Sequence, residues 1–545
     1  MAANNVRGIS AKFANKTSIV LVIGMVSAVV AAGCSSDSSD DGAKAGAGTG
    51  GAKASAGNAG KVTSGGSEET AGAPPVGEGG AAGSGDVTPV DEGGAAGAAG
   101  EAGETPFTAH LSPTLTPKTV SITTGGHDRF YGVTFDSDDN IYAVGVTAAG
   151  FTATADFATV VAKFSPEGVL DTTFGSDGFA VRNVAVGLAG ELARSIVLQP
   201  DGKIVISTTI EAADVGADPK DRDIALLRYL PNGKKDTTFG VDGIVRLPLS
   251  MGVAATSGFL ADSVWGMDMY PDGRLVLNAG LVAASKTDTD FAIIRLSKDG
   301  VPDETFGTHG IFTLDTLFNN ASNNASPRNV TILPGTQGII GAGYQPIKPA
   351  DTEPCVYRVT DKGKLDTTFG VQGVFSEAVY PEQTETYAAV LQSTGKLVTT
   401  GYARQTDATT EKTGVLSMRL NANGKRDLTY GTAGAVKIDV AGFGDNSRKL
   451  VVLPNDHVIL AGGGHATVDN VDGFVAALDE NGKPETTFAA AGWKTIDLGG
   501  PADFLWGVAL SPSKTRVAFV GIKGAGSAVG ATDDDAVLIV SKLVP

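Results

Sequence analysis

The amino-acid sequence predicts an all-β fold, a seven-bladed β-propeller that fills residues 106–545 after a low-complexity N-terminal region. Three observations carry this prediction. A turn motif related to Asp-Thr-Thr-Phe-Gly recurs six times, its copies lie about sixty residues apart, and the segments between them read as short strands. A catalytic motif normally occurs once per active site, so six copies indicate a repeated architecture.

The turn motif sets the length and content of the repeat unit. Successive copies lie 58 to 67 residues apart when each is marked by its aromatic residue: Phe174, Phe239, Phe306, Phe369, Tyr430 and Phe488. In the second unit the runs ARSIVLQ, KIVISTTI, DIALLRYL and IVRLPL are separated by turns rich in Gly, Pro, Asn and Asp. Four such runs are typical of a four-stranded sheet, and no segment sustains the apolar period of 3.6 expected of a helix.

The two ends of the repeat region are expected to form one sheet together. The third-strand pattern and the turn after the first strand both recur seven times, whereas the Phe-Gly turn recurs six times. The chain ends at Pro545 directly after the seventh third strand, and the segment PKTVSITT (Pro117 to Thr124) precedes the first unit. We therefore expect this segment to supply the missing strand of the last sheet and to close a ring, which would protect the last sheet edge.

The turn motif itself is interpreted as structural. Its glycines can adopt positive φ without steric cost, and its Asp and Thr side chains can bond to nearby backbone groups. Its Phe is expected to pack between neighbouring blades. Catalytic roles for Asp366, Thr367 or Thr368 are not expected, because every blade carries equivalent residues.

The N-terminus is interpreted as a lipoprotein signal peptide, residues 1–33. Basic residues without an acidic one precede an apolar run from Ile19 to Gly33, which is shorter than a membrane-spanning helix requires. The sequence from Ala31 to Cys34 resembles the lipobox of bacterial lipoproteins, although family members usually carry Leu or another aliphatic residue in place of Ala31. The resemblance implies lipidation at Cys34, and Ser35 is compatible with outer-membrane sorting. The alternative is an ordinary cleaved signal peptide with an incidental cysteine.

Residues 34–105 are expected to form a flexible tether. They consist mainly of Gly, Ala and Ser with scattered acidic residues, a composition that buries little apolar surface. A random coil of this length would span roughly 45 Å, enough to hold a domain away from a membrane surface.

The overall charge limits the classes of partner. The formal net charge is −18 and the sequence pI about 4.7, which argues against nucleic-acid binding and favours a soluble monomer. The two cysteines, Cys34 and Cys355, are not expected to pair, and Cys355 is expected to be a buried apolar residue.

The repeats resemble a known family. The segments DFAIIRLSKDGVPDETFGTHGI and KGKLDTTFGVQGV closely resemble the delta-60 repeat, and the resemblance extends from about Thr119 to the C-terminus. It implies a secreted or surface-exposed bacterial protein with propeller-like repeats and no shared enzymatic activity. The sixth unit departs most, with Ala489 in place of the turn glycine and Ala477 in place of the Arg found at Arg228, Arg295, Arg358 and Arg419.

The candidate site is a set of residues at one position of the seven predicted first strands. Six residues before each first-strand turn, aromatic and Arg residues alternate: Tyr131, Arg194, Trp265, Arg328, Tyr387, Arg448 and Trp506. First strands line the central channel of a propeller, so these residues are expected at the rim of the channel. The residues that follow them are mostly small and can face the channel itself: Gly132, Ser195, Gly266, Asn329, Ala388, Lys449 and Gly507.

Two interpretations of the rim stay open. The guanidinium groups can stack on the aromatic rings of neighbouring blades, at ~0.5–2 kcal/mol per contact. Alternatively, the rim is a ligand site that suits acidic sugars or other anionic ligands. Packing is favoured, because Met267 and Met269 are apolar and would share the strand face of Trp265.

Other motifs give no catalytic or metal site. The five histidines show no metal-ligand spacing, and no Gly-x-Ser-x-Gly or Walker sequence occurs. The acidic runs Asp136 to Asp139 and Asp533 to Asp535 could bind calcium, but neither has the spaced oxygen ligands of a known loop, so solvated turns are expected. No other cofactor is expected.

The sequence therefore predicts a lipid-anchored lipoprotein of the bacterial envelope whose propeller is a non-catalytic binding platform. The expected partners are the membrane, through the lipid, and surface glycans, envelope proteins or extracellular matrix. The alternative is a propeller enzyme, a hydrolase or quinone-dependent dehydrogenase, with its active site in the central channel. Such an enzyme would need a metal cage or cofactor clamp that these residues do not suggest.

Overall fold

A computed structural model describes residues 107–545 apart from short segments at 151–154, 186–189, 212–221, 251–261, 283–287, 316–323, 349–350, 381, 407–410, 441–443, 468–469 and 526–532. The predicted signal peptide, Cys34 and the tether all lie outside the described residues. The described residues form an all-β structure without helices, and accordingly contain no helix that could cross a membrane.

Two short strands precede a series of antiparallel four-stranded units: β1 (His110–Leu111) and β2 (Pro117–Val120). Unit 1 contains β3 (His127–Phe135), β4 (Ile141–Ala148), β5 (Ala158–Phe164) and β6 (Phe179–Arg182). Unit 2 contains β7 (Leu192–Leu198), β8 (Ile204–Glu211), β9 (Arg222–Tyr229) and β10 (Ile244–Leu247). Unit 3 contains β11 (Ser263–Met269), β12 (Leu275–Val282), β13 (Thr289–Leu296) and β14 (Ile311–Leu314). Each of these units is a separate sheet in sequential strand order.

Units 4 and 5 share one eight-stranded sheet, because a single parallel pair, Thr352 with Gln383, joins them. Unit 4 contains β15 (Ser326–Ile332), β16 (Ile339–Lys348), β17 (Asp351–Val359) and β18 (Val374–Phe375). Unit 5 contains β19 (Gln383–Leu391), β20 (Leu397–Thr406), β21 (Glu411–Leu420) and β22 (Ala435–Ile438). Unit 6 contains β23 (Asn446–Val452), β24 (Val458–Thr467), β25 (Asn470–Leu478) and β26 (Trp493–Ile496). Unit 7 begins with β27 (Phe504–Leu510), β28 (Arg516–Lys523) and β29 (Asp535–Val544).

The N-terminal segment completes unit 7. Strand β2 pairs antiparallel with β29, from Pro117 opposite Ile539 to Val120 opposite Ala536, and β1 pairs with the end of the same strand. The predicted pairing of this segment with the last sheet is therefore confirmed. The first strand of each unit contacts the first strand of the next, and β27 contacts β3. Unit 7 therefore lies next to unit 1.

The aromatic residue of each turn motif fills the space between two units. Phe174 of unit 1 packs with Ile196 and Ile206 of unit 2, and Phe239 of unit 2 packs with Leu275 of unit 3. All six aromatic residues of the motif are buried. The predicted packing of these side chains between neighbouring units is confirmed. The turn glycine has positive φ in the five copies that keep it, as expected: Gly175, Gly240, Gly307, Gly370 and Gly431.

An Arg–Asp pair behind the turn motif joins neighbouring units. Arg228 donates from Nε to Asp236 over 2.8 Å and from its Nη1 to Asp299 of the next unit over 2.9 Å. The hydroxyl of Thr238 donates to the other carboxylate oxygen of Asp236 over 2.6 Å. The same Nε contact, 2.8 Å in each case, recurs in the next three units: Arg295–Asp303, Arg358–Asp366 and Arg419–Asp427. The motif's Asp and its second Thr therefore hold the turn, which agrees with a structural role.

Unit 6 replaces this pair. Ala477 stands in the Arg position and Glu485 in the Asp position, and the imidazole of His457 bonds to the Glu485 carboxylate. His457 lies in the turn after the first strand, where Lys203 and Lys396 contact the motif's Asp in units 2 and 5. The hydrogen bond that the His457 imidazole donates to the Glu485 carboxylate raises the pKa of His457.

Replacing Asp236 with Asn is expected to destabilise the protein by about 2 kcal/mol. The substitution keeps the side-chain volume but leaves the Arg228 guanidinium, which is 2% exposed, without its nearest carboxylate. Removing one partner of a buried ion pair costs about 3–5 kcal/mol, and the remaining bond to Asp299 reduces this loss.

Urea denaturation measures the change in the free energy of unfolding. The control is Asp242→Asn in the same turn, whose side chain is 52% exposed and pairs with Lys235 and Arg182 at the surface, so a much smaller change is expected. Equal effects of the two substitutions would contradict this assignment.

Candidate functional site

Every candidate rim residue is the extra residue of a β-bulge. In each first strand the register against the second strand shifts by one at this position; in unit 3, for example, Val264 faces Ala279 and Gly266 faces Asn278, so Trp265 has no opposite residue. The same shift occurs at each of the others: Tyr131, Arg194, Arg328, Tyr387, Arg448 and Trp506. A β-bulge changes the direction in which its extra side chain points, and each unit contains one such bulge in its first strand.

The bulge corrects one argument from the sequence. Simple alternation would place Trp265 on the same strand face as Met267 and Met269, which favoured a packing role. Because the alternation changes phase at the bulge, Trp265 does not share the face of these two residues, which pack in the core between units 2 and 3. The apolar neighbours of Trp265 therefore do not indicate its role.

Glycines opposite the bulge make room for it. A Cβ atom on Gly145 would lie 1.8 Å from the carbonyl oxygen of Arg129, and one on Gly401 would lie 1.9 Å from that of Glu385. Five of the seven second strands have Gly at this position: Gly145, Gly343, Gly401, Gly462 and Gly521. Units 2 and 3 carry Thr208 and Ala279 there instead.

A buried acceptor three residues before the bulge fixes the start of most first strands. The carboxylate of Asp262 accepts from the backbone N–H of Leu249 over 2.6 Å and of Ser250 over 3.0 Å. Asp503 accepts in the same way from the segment that follows β26. The acceptors at this position are Asp128, Glu191, Asp262, Thr384, Asp445 and Asp503. They tie each first strand to the end of the preceding unit and so position the bulge.

These acceptors give stability a defined pH dependence. Burial raises the pKa of Glu191 to about 7 and the pKa values of Asp262 and Asp503 to about 6. The folded state then binds more protons than the unfolded state between about pH 4 and 7, so the free energy of unfolding falls as the pH rises through this range. The raised pKa of His457 acts in the same direction.

We expect the free energy of unfolding to be larger at pH 5.5 than at pH 7.5, by about 1 kcal/mol or more. Urea denaturation at both pH values measures the difference. Glu191→Gln should reduce it, because the amide does not titrate. A free energy of unfolding that rises from pH 5.5 to pH 7.5 would contradict the assignment.

The seven bulge residues meet in one cluster, which we call the aromatic–arginine cluster. The Arg194 guanidinium carbon lies 3.3 Å from the ring centroid of Trp265 and 5.4 Å from that of Tyr131. The Arg328 guanidinium lies 3.8 Å from Trp265 on its other side and 4.9 Å from Tyr387. Each of these guanidinium groups therefore stacks between two aromatic rings, as cation–π geometry allows.

The remaining contacts complete the cluster. The Arg448 guanidinium carbon lies 4.2 Å from the ring of Tyr387 and 5.0 Å from that of Trp506. Trp506 meets Tyr131 edge to face, with ring centroids 5.2 Å apart. Because seven is an odd number, two aromatic residues of the alternating series must be neighbours, and these are Trp506 and Tyr131, as the sequence predicts. The structure brings all seven predicted residues together, and the ligand-binding role of the cluster stays a prediction.

The cluster lines a small, partly open cavity. All seven residues line it, together with Lys449. The space open to the centre of a water molecule is about 20 Å³, enough for one or two waters or a group of similar size. The lining contains four basic residues and no acidic one. A cavity of this charge and size suits a small anionic group better than a sugar ring.

Lys449 was predicted to face the channel but was not counted among the candidate rim residues. It follows the bulge residue Arg448, at a position where the other units have Gly, Ser, Asn or Ala. Desolvation and, to a smaller extent, the positive charge of Arg194 together lower the pKa of Lys449 to about 8. A long basic side chain at a position of small residues was the feature that could have identified it.

The acidic runs considered for calcium are engaged in turns and contacts between units. Asp136 accepts from the backbone N–H and the side-chain amide of Asn140 within its own turn. Asp534 accepts from Arg129 and from the backbone N–H of Ala525. Among the described residues, two other sets of three carboxylates lie close enough together to share a cation. One set is Asp288, Asp290 and Asp315, and the other is Asp472, Asp497 and Asp503. The second group already contains a carboxylate, Asp503, that accepts backbone N–H groups. Cys355 is buried, as expected.

Comparison with known proteins supports the architecture. A protein-family model described as "Domain of unknown function (DUF5122) beta-propeller" matches residues 199–239 and 271–306. The chain carries β-propeller repeats. Both matched segments begin at or just before a first-strand turn and end at the aromatic residue of the turn motif, so they follow the period of the repeats. None of the curated proteins compared with the chain matches its sequence.

Three solved structures are similar to the repeat region at low identity. A luciferin-regenerating enzyme is 10% identical with a TM-score of 0.33, and the alignment covers 78% of this chain and 95% of that one. A glucose dehydrogenase is 11% identical with a TM-score of 0.37, covering 64% and 95%. A putative gluconolactonase is 10% identical with a TM-score of 0.31, covering 79% and 94%. With TM-scores below 0.5, these structures carry no argument about the activity of this chain.

Proposed function

We propose that this protein is a seven-bladed β-propeller, tethered to the bacterial envelope as a lipoprotein, that binds an anionic ligand at its centre without catalysis. The observation that carries the proposal is the convergence of three Arg, one Lys and four aromatic residues on one cavity that has no acidic residue in its lining. Guanidinium groups and aromatic faces bind carboxylate and phosphate groups by charge-assisted hydrogen bonds and by stacking.

The pairing of strands supports the count of seven blades. Units 1 to 6 each supply four strands, unit 7 supplies three, and β2 pairs with the last of these. On this reading units 4 and 5 are separate blades joined by one parallel pair. Close approach of neighbouring first strands favours a closed ring, since a Cβ atom on Gly507 of unit 7 would lie 3.0 Å from the carbonyl oxygen of Tyr131 of unit 1.

The lining of the cavity favours binding over catalysis. The alternative enzyme, a hydrolase or quinone-dependent dehydrogenase, would use carboxylates or histidines in the channel to hold a metal or to transfer protons. The lining consists of Arg, Lys, Tyr and Trp residues. Arg stays protonated at physiological pH, so these groups suit recognition of negative charge.

The anchor belongs to the same proposal. Lipidation of Cys34 and a tether to residue 105 would hold the propeller clear of the membrane, where glycans, envelope proteins or matrix are accessible. Net charge would keep the domain soluble and monomeric. Replacing Cys34 with Ser should move the protein from the membrane fraction to the soluble fraction of cells that express it.

Binding is tested with the full chain purified in detergent against a panel of acidic and neutral glycans and envelope proteins. We expect an acidic ligand to bind, and we expect replacement of Arg194, Arg328 and Arg448 by Met to abolish binding. A matched control replaces the exposed residues Lys298, Lys362 and Lys514 by Met. Loss of thermal stability in the Arg variant, without any ligand found for the parent, would assign the cluster to packing and overturn the proposal.

A further inference from the structure

Lys449 departs from the pattern of the central channel. The residue after each bulge is Gly132, Ser195, Gly266, Asn329, Ala388 or Gly507 in the other units. Three of these are glycines whose Cβ atoms would approach the backbone of the next unit to 2.6–3.0 Å. Only unit 6 places a long charged side chain at this position. Lys449 is one of the residues that line the central cavity.

The surroundings of Lys449 are positively charged. It belongs to unit 6, whereas Arg194, the one charged group that perturbs it, belongs to unit 2, so the cavity brings together two basic residues from units that are distant in the chain. Among the residues that the structure describes, the Lys449 Nζ atom makes no hydrogen bond and no ion pair. Lys449 is partly buried, and partial desolvation of an ammonium group without a counter-charge is unfavourable. A neighbouring cation adds to that cost.

A second donor lines the same cavity. The indole N–H of Trp506 is buried and has no acceptor among the described residues. Trp506 contacts both Tyr131 and the Arg448 guanidinium, so its ring is held in place from two sides. A buried donor without an acceptor costs about 1–3 kcal/mol, which an acceptor atom in the cavity would offset.

We propose that the cavity binds a single small oxyanion group, a phosphate, sulfate or carboxylate, which contacts Lys449, Arg194 and the Trp506 indole N–H. This inference rests on the proposed binding function and specifies its ligand. The cavity admits a group of a few atoms, so the anion is either a free inorganic ion or the acidic group of a larger ligand whose remainder lies outside. One negative charge would interact favourably with both basic side chains and would accept a hydrogen bond from the indole donor.

The experiment titrates the full chain with sodium phosphate, sulfate, acetate and chloride at constant ionic strength. The readouts are the melting temperature and the intrinsic tryptophan fluorescence, since two of the three tryptophans, Trp265 and Trp506, line the cavity. We expect a saturable rise in melting temperature with at least one oxyanion and none with chloride. We also expect a fluorescence change that saturates at the same concentrations.

The variant Lys449→Met identifies the site. We expect it to weaken the binding of the oxyanion by about tenfold or more, equivalent to ~1.4 kcal/mol. It should be at least as stable as the parent without the anion, because Met occupies a similar volume and has no charge to desolvate. The control Lys298→Met removes a side chain that is 65% exposed and should leave both readouts unchanged. Absence of a saturable response to every oxyanion, or an unchanged response in Lys449→Met, would overturn the inference.

Competition separates the source of the anion from the proposed function. If phosphate competes with an acidic ligand found in the binding screen, the cavity takes the acidic group of that ligand. If phosphate binds but does not compete, the cavity takes a free ion, and the inference holds while the proposed function fails at this site. If an acidic ligand binds equally well to Lys449→Met, the proposed function holds and the inference is wrong.

Discussion

A chain that lacks residues 107–124 is expected to lose about 5 kcal/mol or more of its unfolding free energy. The deletion removes β1 and β2, which both pair with β29. It also removes the buried Leu111 and the apolar contacts of Val120 and Ile122 with the core between units 7 and 1. Full burial of such side chains contributes about 1.5–3 kcal/mol each, and the deletion also exposes the edge of β29.

Urea denaturation followed by circular dichroism measures this loss. The control deletes residues 45–95 of the predicted tether and should leave the denaturation midpoint unchanged. Since native proteins are typically stable by about 5–15 kcal/mol, the 107–124 deletion is expected to unfold or aggregate under conditions in which the control stays folded. Equal midpoints for the two deletions would show that the N-terminal strands do not support the fold.

Replacing Phe239 with Ala is expected to cost about 3–5 kcal/mol. Phe239 is 0% exposed and fills the space between units 2 and 3, against Leu275, Leu277 and Ile294. Its ring also faces the Arg228 guanidinium at 4.4 Å, so the substitution removes a stacking contact from the Arg–Asp pair of the same turn. The cavity left by the ring cannot collapse without a movement of one unit against the other.

The matched control is Val241→Ala, two residues further along the same turn. The Val241 side chain is 82% exposed, so its truncation should change the unfolding free energy by less than about 0.5 kcal/mol. Urea denaturation measures the free energy of unfolding of both variants, and the data are fitted with one common dependence of this free energy on urea concentration. A small effect of Phe239→Ala would contradict the role of the motif's aromatic residue between units.

The sequence predicted the repeat because its signals are local and recur. The Phe-Gly turn, the strand runs and the unmatched segment before the first unit all appear as short patterns, and the pairing of Pro117–Val120 with the last strand follows from their count. The Arg–Asp pair could also have been found, because both partners change together in unit 6, to Ala477 and Glu485. That joint change is the signature of a contact.

The sequence predicted which residues form the candidate site but not the β-bulges that bring their side chains together. Alignment on the first-strand turns found all seven bulge residues, since the bulge stands at a constant distance from the turn. The bulge itself depends on how the first strand pairs with the second, so the sequence of Trp265 and Met267 alone gave the wrong strand face. Lys449 was predicted to face the channel, but it was grouped with the small residues at equivalent positions, so its charge was not recognised as part of the site.

The closure of the repeat array by its N-terminal strand is tested most directly by a disulfide across β2 and β29. Val120 and Ala536 are register partners, so a chain with Val120→Cys and Ala536→Cys places two thiols at a separation that a disulfide can span. A control pair, Val120→Cys with Ser541→Cys, moves one thiol five residues along the strand, roughly 16 Å away. After oxidation, we expect a 120–536 disulfide by peptide mapping, a melting temperature above that of the reduced form, and no bond in the control. Free thiols at both positions in the folded protein would show that β2 does not pair with β29.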